Sequence, residues 1–142
     1  MNRMSKKLNK KGFTLAELLI VVAIIAVLVV VSVPIFSSKL EKAREAADVA
    51  NMRAAKAAAA SMYLSDESSA SKGPYYYDAD NGVLKDKKDG INGYGQGTKT
   101  KGGISYGSSY TEETEAKDKI LEVTITPPGD SDTDVKIDLK WV

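Results

Sequence analysis

At 142 residues the chain has room for one small domain and a membrane helix. It holds no cysteine and no histidine, which excludes disulfides, thiolate and imidazole metal ligands, and the Ser–His and Cys–His pairs of nucleophilic enzymes. The net charge of +1 hides an asymmetry: Arg3, Lys6, Lys7, Lys10 and Lys11 precede Gly12 with no acid among them, leaving 15 basic and 19 acidic side chains, net −4, in residues 13–142. A mildly acidic remainder gives no general reason to bind nucleic acid.

Residues 1–12 read as a leader rather than as structure. Residues 13–36 are almost wholly apolar, with one carboxylate, Glu17, near the start and Pro34 near the end. A helix of this length would be roughly 36 Å long against a bilayer core of about 30 Å, so it spans a membrane with some tilt. The basic excess ahead of it places the N-terminus in the cytoplasm. Pro34 removes one helical bond and clashes with the carbonyl of Val30, which predicts a kink or a weak point at the membrane exit. An ordinary secretory signal would be cut behind the run, where Val31-Ser32-Val33-Pro34 is a poor site. An uncut anchor is the other reading, but an anchor needs neither Gly12 before Phe13 nor an acid inside the run.

The order of basic residues, Gly12, Phe13-Thr14-Leu15-Ala16-Glu17-Leu18-Leu19 and the apolar run 20–33 resembles the processing site of type IV pilins and of the pseudopilins of secretion systems. The resemblance covers about the first 40 residues. It implies cleavage by a prepilin peptidase between Gly12 and Phe13 and N-methylation of Phe13. It also implies assembly of identical subunits through their helices by a pilus machinery, and local melting of the helix near Pro34. Glu17 of one subunit would meet the Phe13 amine of its neighbour and select the register. The protein would first be a single-pass membrane precursor and then part of an extracellular surface pilus. It would need no cofactor or metal and would not be an enzyme. Many type IV pilins close a C-terminal loop with a disulfide, and this cysteine-free chain departs from them. The rival readings are a pseudopilin and an unprocessed membrane-anchored binding protein.

Residues 37–64 continue the helix in amphipathic form. Leu40, Ala43, Ala47, Ala50, Ala54, Ala57 and Ser61 recur at helical spacing and mark the expected buried face. A second line, Val49, Met52, Lys56 and Ala60, is only partly apolar. Glu41, Arg44 and Glu45 read as a solvated face, and Tyr63 and Leu64 as the start of the head's core. Residues 65–110 read as a loop-rich connection, with Gly73-Pro74, Asn81-Gly82, Asp89-Gly90 and Asn92-Gly93 as turns. Short strands are expected near Tyr75-Tyr76-Tyr77, Val83-Leu84 and Ile104-Ser105-Tyr106.

In residues 111–142, Leu121, Val123 and Ile125 alternate with polar residues, as do Val135, Ile137, Leu139 and Trp141. This predicts a β-hairpin with one apolar face, its core made by Val123, Ile125, Ile137 and Trp141. Two strands are marginal alone. The fold class is therefore α+β: a long N-terminal helix packed across a small antiparallel sheet.

Other motifs are weaker. Asp78-Ala79-Asp80-Asn81-Gly82 invites a calcium reading but lacks the template's glycine at position six and glutamate at twelve, and Asp130, Asp132 and Asp134 alternate as in calcium loops but have Val135 where glycine is needed. Lys85, Lys87, Lys88, Lys99 and Lys101 near Tyr94 form a basic stretch diluted by Asp86 and Asp89, more a solvated loop than a single-strand nucleic-acid site. The three tyrosines read as strand and half-buried core, or as a contact patch.

Overall fold

A computed structural model of the chain describes residues 12, 14–100, 102–131 and 134–142. Phe13 and the basic residues before Gly12 lie outside the described residues, as do Lys101 and Asp132. The chain divides into two units, Met1–Ser37 and Ser38–Val142. One helix, α1 (Leu15–Ser65), contributes to both. A 3₁₀ turn at Glu67–Ser71 follows it. Four strands complete the second unit: β1 (Tyr75–Asp78), β2 (Val83–Lys85), β3 (Leu121–Thr126) and β4 (Lys136–Trp141).

The strands form one antiparallel sheet in the order β2-β1-β3-β4. Within the 65–110 connection, β1 and β2 pair as a hairpin with Tyr77 opposite Leu84. The Ile104 region forms no strand, only a single bridge between Tyr106 and Tyr110. In the C-terminal hairpin, Ile125 stands opposite Ile137 and Leu121 opposite Trp141. Alternation puts Leu121, Val123 and Ile125 on the buried face of β3, and Leu139 and Trp141 on that of β4, while Ile137 is half-buried. Tyr75 and Tyr77 of β1 join them, and Tyr76 is half-buried. The helix is therefore laid over the sheet in an α+β arrangement, with one core between the layers.

The helix face that closes this core differs from the alanine line expected. Val49, Met52, Ala55 and Ala59 are buried, in the same stripe as Glu41, Glu45 and Asp48. Ala43, Ala50, Ala54, Ala57 and Ser61 are exposed, and Leu40 is 40% exposed. Alanines populate all sides of this helix, so their spacing carries little directional information. The larger Val49 and Met52 decide which side packs, because burying them removes more apolar area from water. Leu64 is 82% exposed rather than core, whereas Tyr63 packs against the core's margin.

The segment between β2 and β3 is not a solvated connection. It brings Tyr110 and Ala116 into the core, both fully buried, and half-buried Tyr94 packs its ring edge-on against Tyr77 and Trp141, at 6.0 and 5.7 Å. The Tyr94 hydroxyl donates to the Tyr77 carbonyl at 2.9 Å and accepts from the Leu121 N–H at 2.8 Å. Burial pushes its ionisation well above the ordinary tyrosine value.

Candidate processing and assembly site

Thr14 precedes α1 and Glu17 lies in its first turn. The Thr14 Oγ1 accepts the Glu17 N–H at 3.1 Å, and the Glu17 Oε2 accepts the Thr14 N–H at 3.4 Å. This reciprocal pair is a capping box, which satisfies two donors that a helix start leaves without intrahelical partners. Thr14-x-x-Glu17 ahead of an apolar run is the sequence signal for it, whereas the assembly role expected of Glu17 does not involve Thr14. At 3.4 Å the carboxylate contact is long, so most of its acceptor capacity remains open. Gly12 is exposed. Phe13, the residue expected to be methylated, lies outside the described residues.

Behind the cap, every large apolar side chain from Leu15 to Phe36 is half or more exposed within the described chain. The helix is long and apolar enough to cross a membrane, with a mean hydropathy of 3.3 in its most apolar window. The α-helix assignment continues through Pro34. Two residues before it, the Ser32 hydroxyl donates back to the Leu28 carbonyl at 2.6 Å. Such back-bonding bends helices slightly, next to the residue whose ring removes the bond to Val30.

In the second unit, three acids on one stripe of α1 hold the loop. Glu41 and Glu45 are 1% exposed and Asp48 is 0% exposed. Asp48 accepts the N–H groups of Gln96 and Gly97, at 2.8 and 2.7 Å, and the Tyr110 hydroxyl at 2.8 Å. Glu41 accepts the Thr98 N–H at 2.6 Å, and Glu45 accepts those of Gly102 and Ile104 at 3.1 and 3.0 Å. Arg44, 3.4 Å from Glu41, adds a partly exposed counter-charge. Burial first, and then the neighbouring acids, push the Tyr110 phenol well above its ordinary value. The solvated face expected at Glu41 and Glu45 is thus corrected: both carboxylates are buried against the loop. The missed signal was the i, i+4, i+7 spacing of Glu41, Glu45 and Asp48, which puts all three on one side of a helix, facing a segment rich in glycine. Gly97 has to be glycine here, because a Cβ would run into the Tyr110 hydroxyl and stand 2.7 Å from the Asp48 carboxylate.

The remaining candidates resolve into local structure. Asp78 is buried and its oxygens accept from the Asp80 N–H, the Asn81 amide and the Lys85 ammonium, the last at 2.9 Å. The carboxylate spacing thus closes the β1–β2 turn, and Lys85 leaves the basic stretch to pair with it. Asp130 and Asp134 are exposed. Lys99 stands 3.9 Å from Glu115. Of the head-core residues named from the sequence, Val123, Ile125 and Trp141 are buried, and the Trp141 indole N–H has no partner among the described residues.

Comparison with known families adds one finding at the N-terminal end. Residues 7–33 match the model of the prokaryotic N-terminal methylation motif. This is the processing signal of type IV pilins and pseudopilins, and the chain carries it, running into the apolar start of α1. The match covers the N-terminal segment alone; with the apolar helix behind it, it supports a processed protein of the pilin-like or pseudopilin-like kind with a membrane-anchored precursor. No curated protein and no solved structure matches the chain.

Proposed function

We propose that the chain is a structural subunit of a type IV pilus, cut between Gly12 and Phe13, N-methylated on Phe13 and assembled through α1 into a surface filament. The observation that carries this reading is the methylation motif running directly into a helix whose apolar surface is uncovered from Leu15 to Phe36. A bilayer covers that surface in the precursor, and the helices of other subunits cover it in a filament. The partners are then identical subunits, a prepilin peptidase and methylase, and the assembly machinery.

Glu17 carries the register. A lone carboxylate costs roughly 2.5–3.5 kcal/mol at the centre of a bilayer and less near an interface, and it normally has a partner. Cleavage creates a charged α-amine on Phe13, and Glu17, whose Oε2 accepts only a long bond from Thr14 among the described residues, keeps acceptor capacity for it. Axially staggered helices bring the Glu17 of one subunit to the Phe13 amine of the next, and the two charges neutralise each other only in the correct stagger. Pro34, beside the Ser32 back-bond, is where the helix gives way as subunits pack.

The test measures precursor, mature membrane protein and sheared fibres in the same cells. Gly12→Val is expected to stop maturation. Glu17→Ala is expected to leave insertion and cleavage intact and to abolish or sharply reduce fibres. Normal fibre yield from Glu17→Ala chains would remove the register role, and fibre subunits still carrying residues 1–12 would remove the processing. Long surface fibres in electron micrographs distinguish a pilin from a pseudopilin, whose N-terminal features are the same.

A further inference from the structure

The outer edge of β4 is open. Ile120 and Val142 exchange both backbone hydrogen bonds, at 3.1 and 2.9 Å. In an antiparallel pair such bonded positions alternate with unbonded ones. Lys140, Asp138 and Lys136, in register with Glu122, Thr124 and Thr126, therefore turn their backbone groups toward β3. The N–H and C=O groups of Ile137, Leu139 and Trp141 turn outward, where no strand among the described residues pairs with them. An edge of six residues is a template for another extended chain. A groove of about 670 Å³ is lined by Asp138, Leu139, Lys140 and Trp141 of this strand together with Ser108 and Glu115.

The side chains on the outer face of this edge say which chain fits. Lys136, Asp138 and Lys140 are exposed and alternate in sign. Consider β4 laid antiparallel against β4 of another copy, centred on Leu139. Asp138 then faces Lys140, and by symmetry Lys140 faces Asp138. Ile137 faces Trp141 on the apolar side, and the outward backbone groups of both strands coincide. Centring on Asp138 sets Asp138 against itself and Lys136 against Lys140, and centring on Lys140 sets that lysine against itself. Opposite charges directly across a strand pair stabilise it and like charges destabilise it, which rejects these two registers. Centring on Ile137 also sets Lys136 against Asp138 but pairs Leu139 with Val135, outside β4, so the Leu139 register is the one that keeps its charge pairs and its Ile137–Trp141 pairs within the strand. Lys140 also lies across from Glu122 of β3, which adds to the negative surroundings of that ammonium.

We propose that β4 pairs with β4 of a second copy of this chain, Leu139 opposite Leu139, joining two heads through one continuous sheet. The two-fold axis of such a pair stands perpendicular to the sheet and reverses the part of α1 that lies over it. Neighbours in one polar filament have parallel helices and cannot make this contact, so it joins heads that belong to different filaments. The pairing depends on the head alone and is tested separately from the processing and assembly reading.

The test uses the full chain in detergent, which has no native cysteine to interfere. Asp138→Cys chains are mixed with Lys140→Cys chains and mildly oxidised. The register places these two positions about 4.5 Å apart between Cα atoms, within the disulfide range of about 4.4–6.8 Å. Two copies of position 138, or of position 140, are diagonal neighbours about 7–8 Å apart. The mixed disulfide is expected to dominate over both like-with-like products. Asp138→Lys is expected to weaken the dimer about tenfold, and Asp138→Lys combined with Lys140→Asp to restore it in chains that also carry Glu122→Gln, which removes the like charge across from position 140, with Trp141 fluorescence checking that the fold is kept. Absence of any cross-link, cross-linking without preference for the mixed pair, or failure of the double exchange to rescue would each overturn the proposal.

Discussion

Asp48 has the most demanding position of any single side chain in the head. Its carboxylate serves Gln96, Gly97 and Tyr110 from a site with no exposure. Asp48→Ala leaves two buried donors, on Gly97 and Tyr110, without an acceptor at about 1–3 kcal/mol each, and a part-buried one on Gln96. A loss of roughly 3 kcal/mol or more is expected in urea unfolding followed by Trp141 fluorescence, and Asp48→Asn, which keeps one acceptor oxygen, should lose less. Asp78 has a different signature. Hydrogen bonds from Asn81 and then Lys85 hold its carboxyl below the ordinary value of 3.8. A group whose value is lower in the folded state contributes stability that is full above the unfolded value and is lost as pH falls through the folded one. Unfolding measured from about pH 6 down to about pH 2 should therefore show an acid decline that Asp78→Asn flattens, at the cost of lower stability at neutral pH. Neither role was legible in the sequence. Asp78 matched part of a calcium template, and the acids of α1 stood beside Lys42 and Arg44 as if in a solvated ion-pair series.

Elements differ in how openly their sequences declare them. The β3–β4 hairpin was legible because a period of two in apolar residues has one structural meaning when turn residues bound it. Ile125, 3% exposed and opposite Ile137, sits where truncation leaves a cavity. Ile125→Ala should cost about 2–5 kcal/mol, and an unchanged melting midpoint would mean that this face is not the core face. The shorter strands were less legible. Three consecutive tyrosines cannot display alternation, and β2 has only three residues. The long helix was plain as an element, yet its orientation was not, since alanine favours helix on any side. The loop from Tyr94 to Ile120 could not be read at all, because its attachments are long-range bonds to α1 and to β3.

The whole molecule separates into a part that its own fold covers and a part that it does not. All the buried side chains of the described residues fall between Glu41 and Trp141, inside the unit Ser38–Val142. A chain beginning at Ser38 is expected to be soluble without detergent and to unfold in one cooperative step with the midpoint of the full chain. Calorimetry of both would check this, and aggregation of the shorter chain would contradict it. The N-terminal motif was legible for the opposite reason to the hairpin. Processing enzymes act on a short linear segment, so what matters about Gly12 and Phe13 is written in residue order and owes nothing to packing.

The acid stripe of α1 has a consequence for how this head tolerates change. Among the described residues it makes six bonds to the loop, five to main-chain N–H groups and one to a side chain, the Tyr110 hydroxyl. Such a grip recognises a backbone path and is indifferent to what most of the residues along it display. Gly97 and Gly102 are constrained by crowding, the latter against the Glu45 carboxylate, but Gln96, Thr98, Lys99 and Thr100 present side chains that the attachment does not consult. The outward character of the head is thus open to rewriting at those positions by drift or selection, while the scaffold beneath keeps its hold.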